Sequence, residues 1–211
     1  MFVNHQPLIS AYGKSSPDAM KDVLTFVLCT IQQALHTVPA AMDDIRKHGE
    51  KSRFIWGFKT SAYINLTVNK ETIYKQAMAL WDAFPDPAIA ERELMLYFAN
   101  LEGFGLAKGG FCVQLLFGLS GCIDSHNVRR FGFDANEFKA SRFKGVKSIS
   151  RKYQYLDTYL DLVGVCGGCA KLWDDWCIYV YERNKMLYRS PLHVSAIHAE
   201  VFNLIPKGKD R

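Results

Sequence analysis

Between Leu101 and Arg130 the chain collects side chains able to do chemistry, in the stretch LEGFGLAKGGFCVQLLFGLSGCIDSHNVRR. Asp124 is a carboxylate that can accept a proton or stabilise a developing positive charge. His126, two residues on, can act as a general base, a phosphate contact or a buried structural donor. Lys108, Arg129 and Arg130 can neutralise oxyanions, the arginines through a planar fork. Gly103 and Gly105 flank Phe104 in a tight turn that lets backbone approach a ligand closely. A helix beginning near Ala107 then points its free amides outward, and such amides hold phosphate well. Each feature also has an ordinary reading: a glycine turn closes a helical hairpin, and an aspartate caps the next helix. Their combination carries the weight. Asp124 lies sixteen residues beyond Lys108, after one helix and a return loop, so acid and turn can share one side of the fold.

Helices must position these groups. Ser16-Pro17-Asp18 combines an N-cap, a first-turn proline and an acid near the positive helix end. Met20, Leu24, Val27, Leu28, Ile31 and Leu35 then repeat at helical spacing, one apolar stripe that Pro39 is expected to end. Phe54 to Val68 fits a short helix plus an extended stretch. Asn69 and Asp86-Pro87 start the next two helices. A helix from about Ala107 to Leu119 follows the glycine turn, and Asp124 begins a short one through Arg129. Asp134 and Glu137 form a capping box. Ser148 opens a long helix that Gly167-Gly168 breaks, a very apolar helix follows, and Ser190-Pro191 caps the last one. The pattern is all-α, about nine or ten helices in a single domain over residues 1–211, with room for two lobes about a cleft holding the turn and Asp124.

Apolar residues make up 49% of the chain and charged residues 22%, an ordinary globular composition. No apolar run is long enough to span a bilayer, and the start lacks the order of a secretory signal, so a cytoplasmic protein is expected. Six cysteines then read as free thiols. Cys166, Cys169 and Cys177 lack a fourth ligand nearby, so packing is preferred to zinc and no metal or cofactor is expected. The net charge is +5, yet Arg129 to Lys152 alone holds eight bases against two acids, a net of +6, leaving the remainder at −1. Such a concentration suits a surface that meets a polyanion, and equally a solvated face. No glycine loop followed by Lys-Ser/Thr is present for a nucleoside triphosphate.

Leu-x-Gly-x-Gly, an apolar helix and then Asp-x-His followed by arginine resembles the helix-hairpin-helix DNA glycosylase superfamily over about Leu101 to Phe131. The resemblance implies a helix-hairpin-helix, glycosylase-like fold. It implies that the hairpin (Gly103, Phe104, Gly105, Lys108, Gly109) grips DNA backbone, with Asn127, Arg129 and Arg130 beside it, and that Asp124 is catalytic with His126 as its partner. The lysine nucleophile of strand-cutting members would fall at Ala107. Lys108 is one residue and about 100° of helix rotation away, which points Lys108 to phosphate and away from Schiff-base chemistry. The cysteine spacing does not match the iron–sulfur loop of some members. Asn127 stands where repair enzymes usually have an apolar residue, and Asp-x-His-Asn is more similar to phage-encoded relatives assigned to thymine hypermodification. That branch implies transfer of an amine, from an amino acid or polyamine, to an activated 5-hydroxymethyluracil in DNA, in the host cytoplasm. Base excision by an N-glycosylase and DNA binding without catalysis are the alternatives. Tyr153, Tyr155 and Tyr159 could stack on an extruded base, with packing favoured, and Trp173 and Trp176 read as core.

Overall fold

The computed structural model describes residues 5–134, 136 and 140–206, with backbone alone at His126 and Ala140. Among the described residues the chain is all-α. It forms α1 (Gln6–Gly13), α2 (Pro17–Cys29), α3 (Val38–His48), α4 (Phe58–Val68), α5 (Lys70–Ala83), α6 (Pro87–Asn100), α7 (Leu106–Phe117), α8 (Ser125–Phe131), α9 (Ala140–Gly145), α10 (Ile149–Val165), α11 (Gly168–Arg183) and α12 (Pro191–Glu200). Twelve α-helices replace the nine or ten expected. The addition comes mainly from α1 and from α3, whose stripe of Val38, Ala41, Met42 and Ile45 is hidden when Pro39 is taken as the end of a helix. No helix among the described residues is long and apolar enough to cross a membrane.

Several helix starts follow directly from the sequence. Ser16 accepts a hydrogen bond from the Ala19 amide, Asp86 from Ala88, Ser148 from Arg151 and Ser190 from His193. Each supplies one acceptor for amides that a helix leaves unpaired. Asn69 provides no such side-chain cap. Glu137, the second half of the expected capping box, lies outside the described residues; Asp134 accepts from the Asn136 amide at 2.9 Å.

One expectation is corrected with consequences for the site. The apolar stripe of α2 continues in sequence to Leu35, but the helix stops at Cys29. Gln32 takes a left-handed conformation (φ 55°), which no helix can continue through. Pro39 accordingly sits in the first turn of α3, where its missing N–H costs nothing, and does not terminate α2. Residues 30–36 are thereby released from α2 and become a wall, with Leu35–Thr37 in a single 3-10 turn.

The core is one continuous apolar cluster centred on α7, where Leu106 and every residue from Gly109 to Phe117 are buried. α1, α2 and α6 pack around it. α10 is fixed to α6 by polar contacts: Arg92 forms a two-point bond to Asp157 and stacks over Tyr153, whose hydroxyl donates to Glu93. Tyr153 is therefore committed to packing. His198 of α12 is fully buried among Phe26, Phe111, Trp173 and Trp176. Its Nδ1 bonds the Val194 carbonyl and its Nε2 has no partner.

Burial pushes the His198 imidazole down to about 4, from 6.5. The unfolded chain therefore binds the proton more readily than the folded one between those values. Stability is expected to fall as pH drops from 6.5 toward 4, by up to about 3 kcal/mol from this group. Urea melts at pH 7, 5.5 and 4.5 measure the slope, and His198→Leu should flatten it; an equal slope in both proteins would refute the assignment.

Candidate functional site

Three walls enclose a cavity of about 830 Å³, the first formed by α7 together with the loop that follows it. The first turn of α7 supplies Ala107 and Lys108, with Phe111 and Gln114 further along the helix. The loop after α7 supplies Cys122 and Asp124, and Ser125 at the start of α8 adjoins them. α11 lays Leu172, Trp173, Trp176, Val180 and Arg183 along one face, at helical spacing. Residues 30–36 close the third side.

Asp124 reaches this cavity through a tightly held loop. The Tyr159 hydroxyl donates to the Gly121 carbonyl at 2.7 Å and accepts from the Ile123 amide at 2.8 Å. Tyr159 is itself completely buried, so this clamp, and not base stacking, is its role. The loop lies directly on α7 at Gly110, where a side chain would collide with the Gly121 carbonyl oxygen and the Tyr159 hydroxyl. Gly121 in turn rests on Leu172 of α11. Gly110→Ala is expected to cost roughly 1–3 kcal/mol, because backbone and a clamped hydroxyl must both move. An unchanged denaturant midpoint in that variant would contradict this packing.

Asp124 also caps α8: its Oδ1 accepts from the Asn127 amide at 3.0 Å, and its carbonyl accepts from Val128 at 2.9 Å. Asn127 is 3% exposed, and its Nδ2 donates to the Cys122 carbonyl at 2.8 Å. Asn127 therefore braces the loop and has no surface to offer DNA. This explains an amide at a position where an apolar residue would leave the Cys122 carbonyl without that donor. Arg130 pairs with Asp175 at 3.3 Å, tying α8 to α11, while Arg129 is exposed. The side chain of His126 lies outside the described residues, so its part in the site is undefined by geometry.

Lys108 lines the same cavity from the first turn of α7. Its Nζ donates to Thr30 Oγ1 at 3.1 Å and lies 5.5 Å from the Phe111 ring centre. It forms no salt bridge among the described residues. A half-buried ammonium held by a hydroxyl and an aromatic face keeps donors for an anion. Burial pushes the Cys122 thiol up to about 12, which keeps it protonated and non-nucleophilic at neutral pH.

The glycine turn sits differently from expectation. Phe104 is 1% exposed, and Gly105 and Gly109 are buried. Gly103, at φ 80°, faces Ala62 of α4, 2.6 Å from where its own Cβ would stand, with Leu28 and Phe58 nearby. Gly109 packs against the backbone of Ala99, which brings α6 and α7 close together. Phe104, Gly105 and Gly109 are packing residues: the turn points into the protein and cannot grip DNA backbone through these positions. Part of the basic run is structural too. Lys144 donates to the Leu101 carbonyl, Lys152 to Asn100, and Arg142 to the Tyr155 hydroxyl, so these cations cover the end of α6 or one another's neighbours. Lys147 and Arg151 remain exposed.

No family model, curated protein or solved structure matches the chain. The site therefore speaks through its own geometry. Sequence reasoning placed Lys108 and Asp124 on one side of the fold, and both line the same cavity. It missed Thr30 to His36, because the α2 stripe hides the break, and it read Trp173 and Trp176 as core alone. Both tryptophans pack on His198 and also face the cavity.

Proposed function

We propose that this chain is a DNA base-modifying enzyme of helix-hairpin-helix, glycosylase-like type, acting in the cytoplasm, and that its cavity receives a base extruded from the duplex. The observation that carries this reading is Asp124 at the wall of an aromatic-lined cavity that Lys108 also lines. Enzymes that alter a base must take it from the stack, and they hold it between aromatic or apolar faces. Trp173, Trp176 and Phe111 supply such faces. Asp124 would accept the proton of an attacking amine, and Lys108 would hold the leaving pyrophosphate of an activated 5-hydroxymethyluracil. Arg129, Lys147 and Arg151 are exposed for the strand. The cap bond from Asp124 to α8 favours a second reading, a DNA-binding module in which the acid is structural alone.

Nucleoside mass spectrometry after incubation with DNA carrying the activated base separates the outcomes. A heavier thymidine supports transfer, and a free base with an abasic site supports excision. Binding at low salt without either product supports the module, and absence of binding at low salt defeats all three.

A further inference from the structure

The connection from α3 to α4 displays aromatic side chains that the fold does not use. Its anchors are Ser52 and Ile55, both buried. The Ser52 hydroxyl donates to Asp44 of α3 and accepts from the Phe54 amide, and the Ile55 amide donates to the Ser52 carbonyl. On this held turn Trp56 is 52% exposed, and Phe58, the first residue of α4, is 45% exposed. Gly57 separates the two at φ 58°, a backbone region that other residues rarely adopt. Tryptophan is highly buried on average, so a held turn that presents one to solvent beside a phenylalanine has the character of a binding surface.

Charge and position say what this surface meets. From Gly49 to Lys59 the chain holds Lys51, Arg53 and Lys59 against Glu50 alone. Lys51 and Arg53 are exposed and form no salt bridge among the described residues. The Arg53 guanidinium lies 5.0 Å from the Phe54 ring centre. Asp44 lies within the field of Arg53 but accepts from the Ser52 hydroxyl. Aromatic faces interleaved with cations suit a polyanion that carries flat rings. The position follows from Lys59, which is buried. Its Nζ lies 5.6 Å from the Trp56 ring centre and donates to the Ile31 carbonyl. Ile31 lines the cavity, so Trp56 stands just outside the third wall.

We infer that Trp56 and Phe58 form a stacking platform for an unpaired nucleic-acid strand beside the cavity, with Lys51 and Arg53 on its phosphates. A duplex offers a protein its phosphates and groove edges, while each base face is covered by the next. Open aromatic faces serve bases only where the strand is unpaired. The choice of nucleic acid over other ring-bearing polyanions rests on the reading of the cavity as a base site. The strand state goes beyond that reading: the strand that offers a base to Asp124 is held open next to it.

Fluorescence anisotropy at low salt tests this with labelled DNA and the full chain. The probes are a thymidine oligonucleotide of about twenty residues, a fully paired duplex of equal length, and that duplex with a central mismatched bubble. The oligonucleotide and the bubble are expected to bind more tightly than the paired duplex, and the tighter of the two identifies whether a single strand or an opened duplex is the source. Trp56→Ala should weaken binding of the unpaired probes about tenfold or more, the loss typical of one stacked base, and leave the paired duplex within about twofold. Trp56→Phe should recover most of that loss, because it keeps an aromatic face. Val68→Ser is the control: Val68 is exposed on α4 ten residues beyond Phe58, about 15 Å away, and the variant should bind as wild type. Equal affinity for paired and unpaired probes, full affinity in Trp56→Ala, or an equal loss in Val68→Ser would overturn the inference. So would vesicles containing phosphatidylserine that bind more tightly than the oligonucleotide and with the same Trp56 dependence, which would make this a membrane surface. The base-modification reading would survive those results, because it fails separately, on unchanged nucleoside masses.

Discussion

Under the proposed function, Asp124→Asn is expected to leave the chain folded and DNA binding intact and to slow base modification about a hundredfold or more, the usual range for loss of a general acid–base group. The substitution is selective because of the local geometry. Asp124 caps α8 through one side-chain oxygen accepting from the Asn127 amide. Asparagine caps as well as aspartate, so the loop and α8 keep their anchor. What disappears is the negative charge and the ability to take a proton. Asp124→Ala is the contrasting variant: it also removes the cap and should lower stability by roughly 1 kcal/mol. Nucleoside masses and denaturant midpoints for both variants separate chemistry from structure. If Asp124→Asn modified DNA at the wild-type rate, Asp124 would be a cap and nothing more. Tighter DNA binding without loss of activity would carry the same message, by removal of repulsion alone.

The second large effect is expected from a residue outside the cavity. Tyr159→Phe removes a hydroxyl that serves the Gly121 carbonyl and the Ile123 amide at once. Both groups are left buried without that partner, at about 1–3 kcal/mol each, so a loss of roughly 2–6 kcal/mol is expected. The side-chain volume barely changes, and the loss can be assigned to the hydrogen bonds. Ile123 directly precedes Asp124, so the freed loop no longer holds the carboxylate at the cavity wall. Activity per folded molecule should therefore fall as well, measured well below the melting temperature. A variant equally stable and equally active would show that α7 and Leu172 hold the loop without the clamp.

What the sequence made legible were features with a local cause. Ser16, Asp86, Ser148 and Ser190 cap helices because a side-chain oxygen near free amides is sufficient. That Lys108 and Asp124 line one cavity followed from one helix and a short return. Features that depend on distant partners stayed hidden. A glycine turn looks the same whether it faces solvent or protein. Ala62 and Phe58 of α4 decide the matter here, and α4 comes from a segment with no clear periodicity. The break in α2 had no glycine or proline to announce it, since Gln32 takes the left-handed conformation itself. Pro39 could end one helix or begin another, and only the break makes it a beginning. Tyr159 fits an apolar stripe by spacing, which conceals what its hydroxyl does.

The broken end of α2 has a consequence for how such a protein can diversify. Two of the three cavity walls are inseparable from the core: α7 is buried almost throughout, and α11 packs on His198 through the same tryptophans that face the cavity. The third wall is seven residues long, from Thr30 to His36, and Gln32, Ala34 and His36 are exposed. Substitutions at exposed Ala34 and His36 cost the fold little, as on surfaces generally, while Ile31, whose carbonyl accepts from buried Lys59, and Leu35, in the core, keep the segment in place. Ligand range can thus drift through one short cassette while the acid, the lysine and the tyrosine clamp stay fixed.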